Sequence, residues 1–123
     1  MKKIIFIISI FLVIVSCENK KVSINTITQE EFAKLSSLDI QLLDVRTPDE
    51  YKRGVIEGAT AINYFDSDFV SQVQPKFDKN KPIYLYCASG GRSSKASSLL
   101  VLDGFVEVYN LKGGYNAWKE NNK

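Results

Sequence analysis

The 123-residue chain contains no histidine and only two cysteines, Cys17 and Cys87. The lack of histidine excludes a Cys–His or Ser–His couple, and with it the usual machinery of cysteine proteases and serine hydrolases. It also leaves too few of the nitrogen and sulfur ligands that zinc and copper prefer. We therefore expect neither a metal site nor a cofactor.

The sequence also lacks a marked excess of positive or negative charge, and it contains only one long hydrophobic run. Basic and acidic residues nearly balance, 16 against 14. The basic residues are scattered rather than clustered, so the sequence does not favour nucleic-acid binding. The one long apolar run covers residues 4–15, behind Lys2 and Lys3. A helix that spans a bilayer needs about 20 residues, so this shorter run predicts a signal peptide over residues 1–16.

The end of the apolar run, residues 14–17, has the sequence IVSC and resembles the lipobox of bacterial lipoproteins. The resemblance implies that Cys17 is lipidated and that residues 17–21 tether the domain that follows. Several acyl chains hold a soluble domain stably on a bilayer. We therefore expect a membrane-anchored protein of the bacterial cell envelope, with its domain in the periplasm or at the cell surface. An ordinary cleaved signal peptide and an uncleaved anchor are the alternatives.

Strand-like and helix-like segments alternate over residues 22–123, which predicts one α/β domain with a mostly parallel five-stranded sheet and helices on both faces. A capping box, Thr28 with Glu31, opens the first helix, and Pro48 lies at the first position of the second. The predicted strands cover residues 22–24, 40–45, 59–64, 83–86 (the central strand) and 105–109. The other predicted helices cover residues 66–77, helical at first and irregular around Pro75, then 92–102 and 115–121.

Cys87 lies where the central strand meets the start of a helix, at the strand end where α/β sheets bind ligands. The unpaired amides of a first helical turn and the positive end of the helix dipole favour a thiolate over a thiol. Glycines in the following loop let the backbone turn its amides toward one point. We interpret Cys87 as a reactive nucleophile rather than as a small buried hydrophobic residue. The expected substrate-binding loop consists of Ala88, Ser89, Gly90, Gly91 and Arg92.

Several motifs, in order, make the chain resemble the single-domain rhodaneses, a family of sulfurtransferases, over essentially residues 22–120. The motifs are LLDVR at 42–46 with EY at 50–51, GVIEGA at 54–59, CASGGRS at 87–93, and LKGG at 111–114 with Trp118. The family commonly has histidine at the position of Val55. We interpret that position as structural, because it lies in a turn and not in the thiol loop.

The resemblance implies that Cys87 attacks the outer sulfur of a small anionic donor such as thiosulfate and carries the sulfur as a persulfide. A thiol, cyanide or a protein acceptor then removes it, and the loop amides stabilise the anionic sulfur. Arg92 either neutralises the sulfite leaving group or only orders the helix start. Asp44 and Arg46 form an ion pair or hydrogen bonds that shape the pocket, or are purely structural.

We expect the protein to be a monomer. Two other interpretations of the same residues stay open. A cysteine phosphatase or arsenate reductase typically needs Cys-x5-Arg, whereas Cys87 and Arg92 are one residue closer than that spacing. A non-catalytic module that carries sulfur, senses thiols or binds a partner at the membrane would retain the same loop. The residues interpreted as structural are Glu50, Tyr51, Gly113, Gly114 and Trp118.

Overall fold

The computed structural model describes residues 22–123. The signal peptide predicted over residues 1–16, the lipidated Cys17 and the tether over residues 17–21 lie outside the described residues. From residue 22 onward, no helix has the length and apolar character needed to cross a bilayer.

The domain of residues 22–123 contains five strands, β1 (Ser23–Ile27), β2 (Gln41–Asp44), β3 (Thr60–Ala61), β4 (Ile83–Tyr86) and β5 (Glu107–Leu111). They form one sheet in the order β1-β5-β4-β2-β3. The predicted parallel α/β sheet is therefore confirmed, with every neighbouring pair of strands parallel rather than most of them. β4 lies at the centre, as expected, and β1 is an edge strand.

Helices connect the strands, and two of them begin with side-chain caps that the sequence encodes. Thr28 accepts a hydrogen bond from the Glu31 amide at 3.1 Å, and Thr47 accepts one from the Glu50 amide at 3.4 Å. Each cap satisfies an amide that has no partner inside the helix. The helices are α1 (Gln29–Leu35), α2 (Pro48–Tyr51), α3 (Phe69–Val73), α4 (Gly91–Leu102) and α5 (Gly114–Asn121).

Several element boundaries differ from those predicted; β1, for example, runs from Ser23 to Ile27 rather than over residues 22–24. β3 has two residues instead of six, because it is an edge strand that pairs only with Leu43 and Asp44 of β2. α3 ends at Val73, before Pro75. β5 begins two residues later than expected, because the amide of Phe105 bonds back to the end of α4 and that of Val106 bonds to the Lys79 carbonyl.

Apolar side chains cover both faces of the sheet. Adjacent residues of a strand point to opposite faces, so Leu85 packs against α3 and α4 while Tyr86 packs on the side of α1 and α5. Phe32 of α1 and Leu100 of α4 are fully buried on their respective faces. The two-sided core fixes all five strands, and so holds the carboxyl ends of β2, β4 and β5 side by side.

Candidate active site

Cys87 follows the last residue of β4, and its side chain lies within the loop that leads into α4. The residue is buried, with 1% of its surface exposed. The Gly90 amide donates a hydrogen bond to Cys87 Sγ at 3.0 Å, and the Ser93 hydroxyl lies 3.4 Å from the same sulfur. Gly90 has φ +118°, a conformation that side chains disfavour, and this turn directs its amide at the sulfur.

The environment of Cys87 lowers the pKa of its thiol. Burial by itself raises that pKa, because it disfavours the charged form. Hydrogen bonds from the Ser93 hydroxyl and from the amides of Ser93, Gly90 and Ser89 together outweigh burial, since they stabilise the thiolate. A buried sulfur surrounded by donors is suited to hold negative charge.

Ser93 and Asn110 connect the thiol loop to the neighbouring strand. The Ser93 hydroxyl lies 2.5 Å from Asn110 Oδ1, and Asn110 Nδ2 donates to the Gly90 carbonyl at 3.2 Å. Asn110 is the second-last residue of β5, so its side chain reaches the loop because β5 is the neighbour of β4. These contacts fix the hydroxyl that faces the sulfur.

The start of α5 holds the outer side of the loop. The Tyr115 amide donates to the Cys87 carbonyl at 2.8 Å, and the Asn116 amide donates to the Ala88 carbonyl at 3.0 Å. Gly114 makes this approach possible, since a Cβ at that position would lie 2.4 Å from the Cys87 oxygen and 2.6 Å from the Ala88 oxygen. With these carbonyls bound to α5, the loop amides are free to face the thiol.

Arg92 pairs with Glu50 of α2 through two hydrogen bonds of 2.6 and 2.8 Å. This bidentate contact lowers the pKa of Glu50 to about 2, since the guanidinium stabilises the carboxylate more than partial burial disfavours it. The Arg92 guanidinium also lies 5.8 Å from the ring centre of the exposed Phe65. Glu50 thus positions a cation beside the thiol loop, beyond the structural role expected from the sequence.

Asp44 and Arg46 form a buried ion pair, with 2.7 Å between Arg46 Nη2 and Asp44 Oδ2. Arg46 also donates to the Gly54 carbonyl at 2.7 Å, and its guanidinium lies 4.1 Å from the centre of the Tyr115 ring. The ion pair expected from the sequence is therefore present, and through Tyr115 it supports the helix that holds the loop.

Sequence reasoning did not single out Ser93 or Asn110, nor the rings of Tyr115 and Phe65 that contact the two arginines. Ser93 lies just outside the predicted loop, and Asn110 was treated only as part of a strand. A serine in the first turn of the helix after the thiol was a usable signal for Ser93. A lone amide near the carboxyl end of an apolar strand was a weaker one for Asn110. Val55 lies in the irregular segment between α2 and β3, not in a turn as expected, and is 46% exposed; its structural interpretation stays a prediction.

Comparison with known proteins shows which protein family the chain matches. The chain matches the rhodanese-like domain family over residues 28–121. It is 37% identical to the uncharacterized protein YqhL of Bacillus subtilis, over 94% of this chain and 88% of YqhL. It is 33% identical to the thiosulfate sulfurtransferase GlpE of Shewanella oneidensis, over 84% of this chain and 95% of GlpE. The crystal structure of a rhodanese-like domain protein from Staphylococcus aureus is 33% identical and superimposes with a TM-score of 0.67, covering 76% of this chain and 90% of that one.

Proposed function

The chain belongs to the rhodanese-like domain family, and from this premise we propose that it is a sulfurtransferase that uses Cys87 as its nucleophile. The donor is a small anionic sulfur compound such as thiosulfate, and the acceptor is a thiol or cyanide. The observation that carries the proposal is the buried Cys87 sulfur with the Gly90 amide at 3.0 Å and the Ser93 hydroxyl at 3.4 Å. A relative named as a thiosulfate sulfurtransferase supports the same reaction class.

In the first step, the Cys87 thiolate attacks the outer sulfur of thiosulfate. A sulfur–sulfur bond forms to Cys87 while the bond inside thiosulfate breaks, and sulfite leaves with the electron pair. The product is a Cys87 persulfide whose outer sulfur is anionic. The hydrogen-bond donors that stabilise the thiolate also suit this extended anion, because they are already oriented before the reaction begins.

In the second step, a nucleophile attacks the outer sulfur of the persulfide. The bond between Cys87 and the outer sulfur breaks, and its electron pair stays on Cys87, which becomes a thiolate again. Cyanide is converted to thiocyanate in this step, and a thiol is converted to its own persulfide. Each transfer therefore restores the starting enzyme without an oxidant or a reductant.

Arg92 is the group that we assign to the sulfite leaving group. A guanidinium has five N–H donors, and the contact with Glu50 uses two of them. The remaining donors are available for sulfite oxygens, while the pairing with Glu50 keeps the side chain from turning into solvent.

The location is also a proposal, and it rests on the sequence of residues 1–21. If Cys17 carries lipid, the tether joins the domain at the start of β1, which is the amino end of a parallel strand. Cys87 follows the carboxyl end of β4, and in a parallel sheet this end lies opposite to the amino ends of the strands. The thiol would then face away from the bilayer, toward soluble donors and acceptors.

Intact-mass measurement tests the reaction. The purified chain is incubated with thiosulfate, and its mass is recorded before and after addition of cyanide. We expect a gain of one sulfur atom that is lost with release of thiocyanate, a gain that Cys87→Ser abolishes and Cys17→Ser retains. Undiminished transfer in Cys87→Ser would refute the mechanism. Loading that no small acceptor discharges would instead favour a sulfur carrier with a dedicated partner.

A further inference from the structure

A small polar cavity of about 210 Å³ lies beside the thiol loop, between α2 and α5. Its wall includes Ala88, which directly follows the nucleophile, and Glu50, which holds Arg92. Arg53 of the segment after α2 and Lys119 of α5 also line it. The mechanism proposed above uses neither of these two cations.

The charges around this cavity do not cancel. Arg46 is neutralised by its buried ion pair, and Glu50 is neutralised by Arg92. Arg53 and Lys119 have no carboxylate within 4.0 Å among residues 22–123. Arg53 uses Nε to donate to the Asp49 carbonyl at 3.2 Å, and its two terminal nitrogens make no hydrogen bond to the described residues. The cavity therefore presents two uncompensated positive charges.

A second, wider surface pocket, whose lining includes Phe65, has the reverse character. Arg92 lies over the Phe65 ring, and Asp66 and Asp68 line this pocket together with apolar side chains. Carboxylates repel an anionic group, whereas Arg53 and Lys119 attract one. Of the two pockets, the one lined by Arg53 and Lys119 is therefore the better match for the anionic part of a substrate.

The size of the cavity limits what it holds. Pockets that enclose a whole small molecule usually exceed about 300 Å³. This one is smaller, so it fits one end of a longer molecule whose reacting sulfur lies at the loop. The sulfonate of thiosulfate is bonded directly to the reacting sulfur and is assigned above to Arg92, whereas an acceptor thiol can carry its anionic group several bonds away from its sulfur.

We propose that this cavity is a subsite for the carboxylate of the sulfur acceptor, so that the preferred acceptors are thiols that carry a carboxylate a few bonds from the sulfur. The inference rests on the proposed sulfurtransferase function and adds the chemical class of the acceptor. Attack on the persulfide by such a thiol leaves its carboxylate between Arg53 and Lys119.

The test separates the two half-reactions in the full-length chain. Wild type and the double variant Arg53→Gln/Lys119→Gln are loaded with thiosulfate and then discharged by 3-mercaptopropionate or by its neutral analogue 3-mercaptopropanol. An exposed ion pair contributes up to about 1 kcal/mol, or about fivefold. We therefore expect discharge by 3-mercaptopropionate to slow by about 3- to 20-fold in the double variant. Discharge by the alcohol and loading by thiosulfate should change by less than about twofold on the same scale.

Lys76→Gln is the matched control, because Lys76 is an exposed lysine that does not line the cavity. It should leave the ratio of the two discharge rates unchanged. If the double variant slows both thiols equally, or slows loading by thiosulfate instead, the acceptor subsite is refuted. A wild-type chain that never acquires a persulfide would refute the underlying function, which is a different outcome from unselective discharge.

Discussion

Gly114→Ala is the substitution that most directly tests how the loop is held. In the native structure, Gly114 has φ +57° and brings the amides of Tyr115 and Asn116 onto the carbonyls of Cys87 and Ala88. A Cβ at Gly114 would lie 2.4 Å from the Cys87 oxygen, and the neighbouring atoms are backbone. Because no flexible side chain can move aside, α5 and the loop must separate.

The magnitude follows from two contributions. The left-handed backbone costs an alanine about 1–2 kcal/mol. Weakening two backbone hydrogen bonds costs about 0.5–1.5 kcal/mol each. Together they lower the free energy of unfolding by about 2–5 kcal/mol, which is a large share of the 5–15 kcal/mol of a typical domain.

Gly58→Ala separates the two contributions. Gly58 has φ +86°, but a Cβ there would meet nothing within 4 Å. It should cost only the backbone strain, about 1–2 kcal/mol, and leave the thiol untouched. Urea unfolding of both variants measures the stability, and alkylation of Cys87 by iodoacetamide measures its reactivity. Equal destabilisation by the two variants, together with wild-type alkylation in Gly114→Ala, would refute the proposed support of the loop by α5.

Three further predictions concern the thiol, the ion pair and the anchor. Ser93→Ala removes a donor to the Cys87 thiolate and so raises the thiol pKa. Alkylation below the midpoint should slow by at least about tenfold, since hydrogen bonds to charged groups contribute about 1.5–3 kcal/mol. Ser94→Ala is its control, and an unchanged Ser93→Ala rate would contradict the role of the hydroxyl. Because the Glu50 pKa of about 2 lies below its ordinary 4.5, the stability from pairing with Arg92 is complete above pH 4.5 and is lost toward pH 2. In Glu50→Gln this loss should be absent from unfolding curves measured across that pH range. If the stability of the variant falls with pH in parallel with that of the wild type, the contribution of the Glu50–Arg92 pair is contradicted. Cys17→Ser should release the protein from membranes on fractionation, and unchanged membrane association would show that the lipobox interpretation is wrong.

Local rules account for what the sequence predicted. The cap formed by Thr28 and the proline at the start of α2 act within one helical turn, so neighbouring residues are enough to recognise them. Alternating strands and helices imply a parallel sheet, and Cys87 after an apolar strand and before a Gly-rich helix start implies an activated thiol. These inferences hold because each depends on residues that are close in the chain.

Two of the wrongly predicted strand boundaries, those of β3 and β5, have tertiary causes. The edge strand β3 has a neighbour on one side only, and the apolar pattern over residues 59–64 cannot reveal that. Phe105 has an apolar strand-like context, yet its amide completes the end of α4 and its ring fills the core. In both places the tertiary contacts outweigh the local preference.

The sequence by itself determined the fold class, and it singled out Cys87 and the loop that follows it as the candidate site. Only the tertiary structure determined the partners of that loop: Glu50 for Arg92, Asn110 for Ser93, and the start of α5 for the loop carbonyls. Glu50 and Arg92 are 42 residues apart in sequence. They meet because the strand order places the carboxyl ends of β2, β4 and β5 next to one another, and neither periodicity nor motif spacing encodes that order.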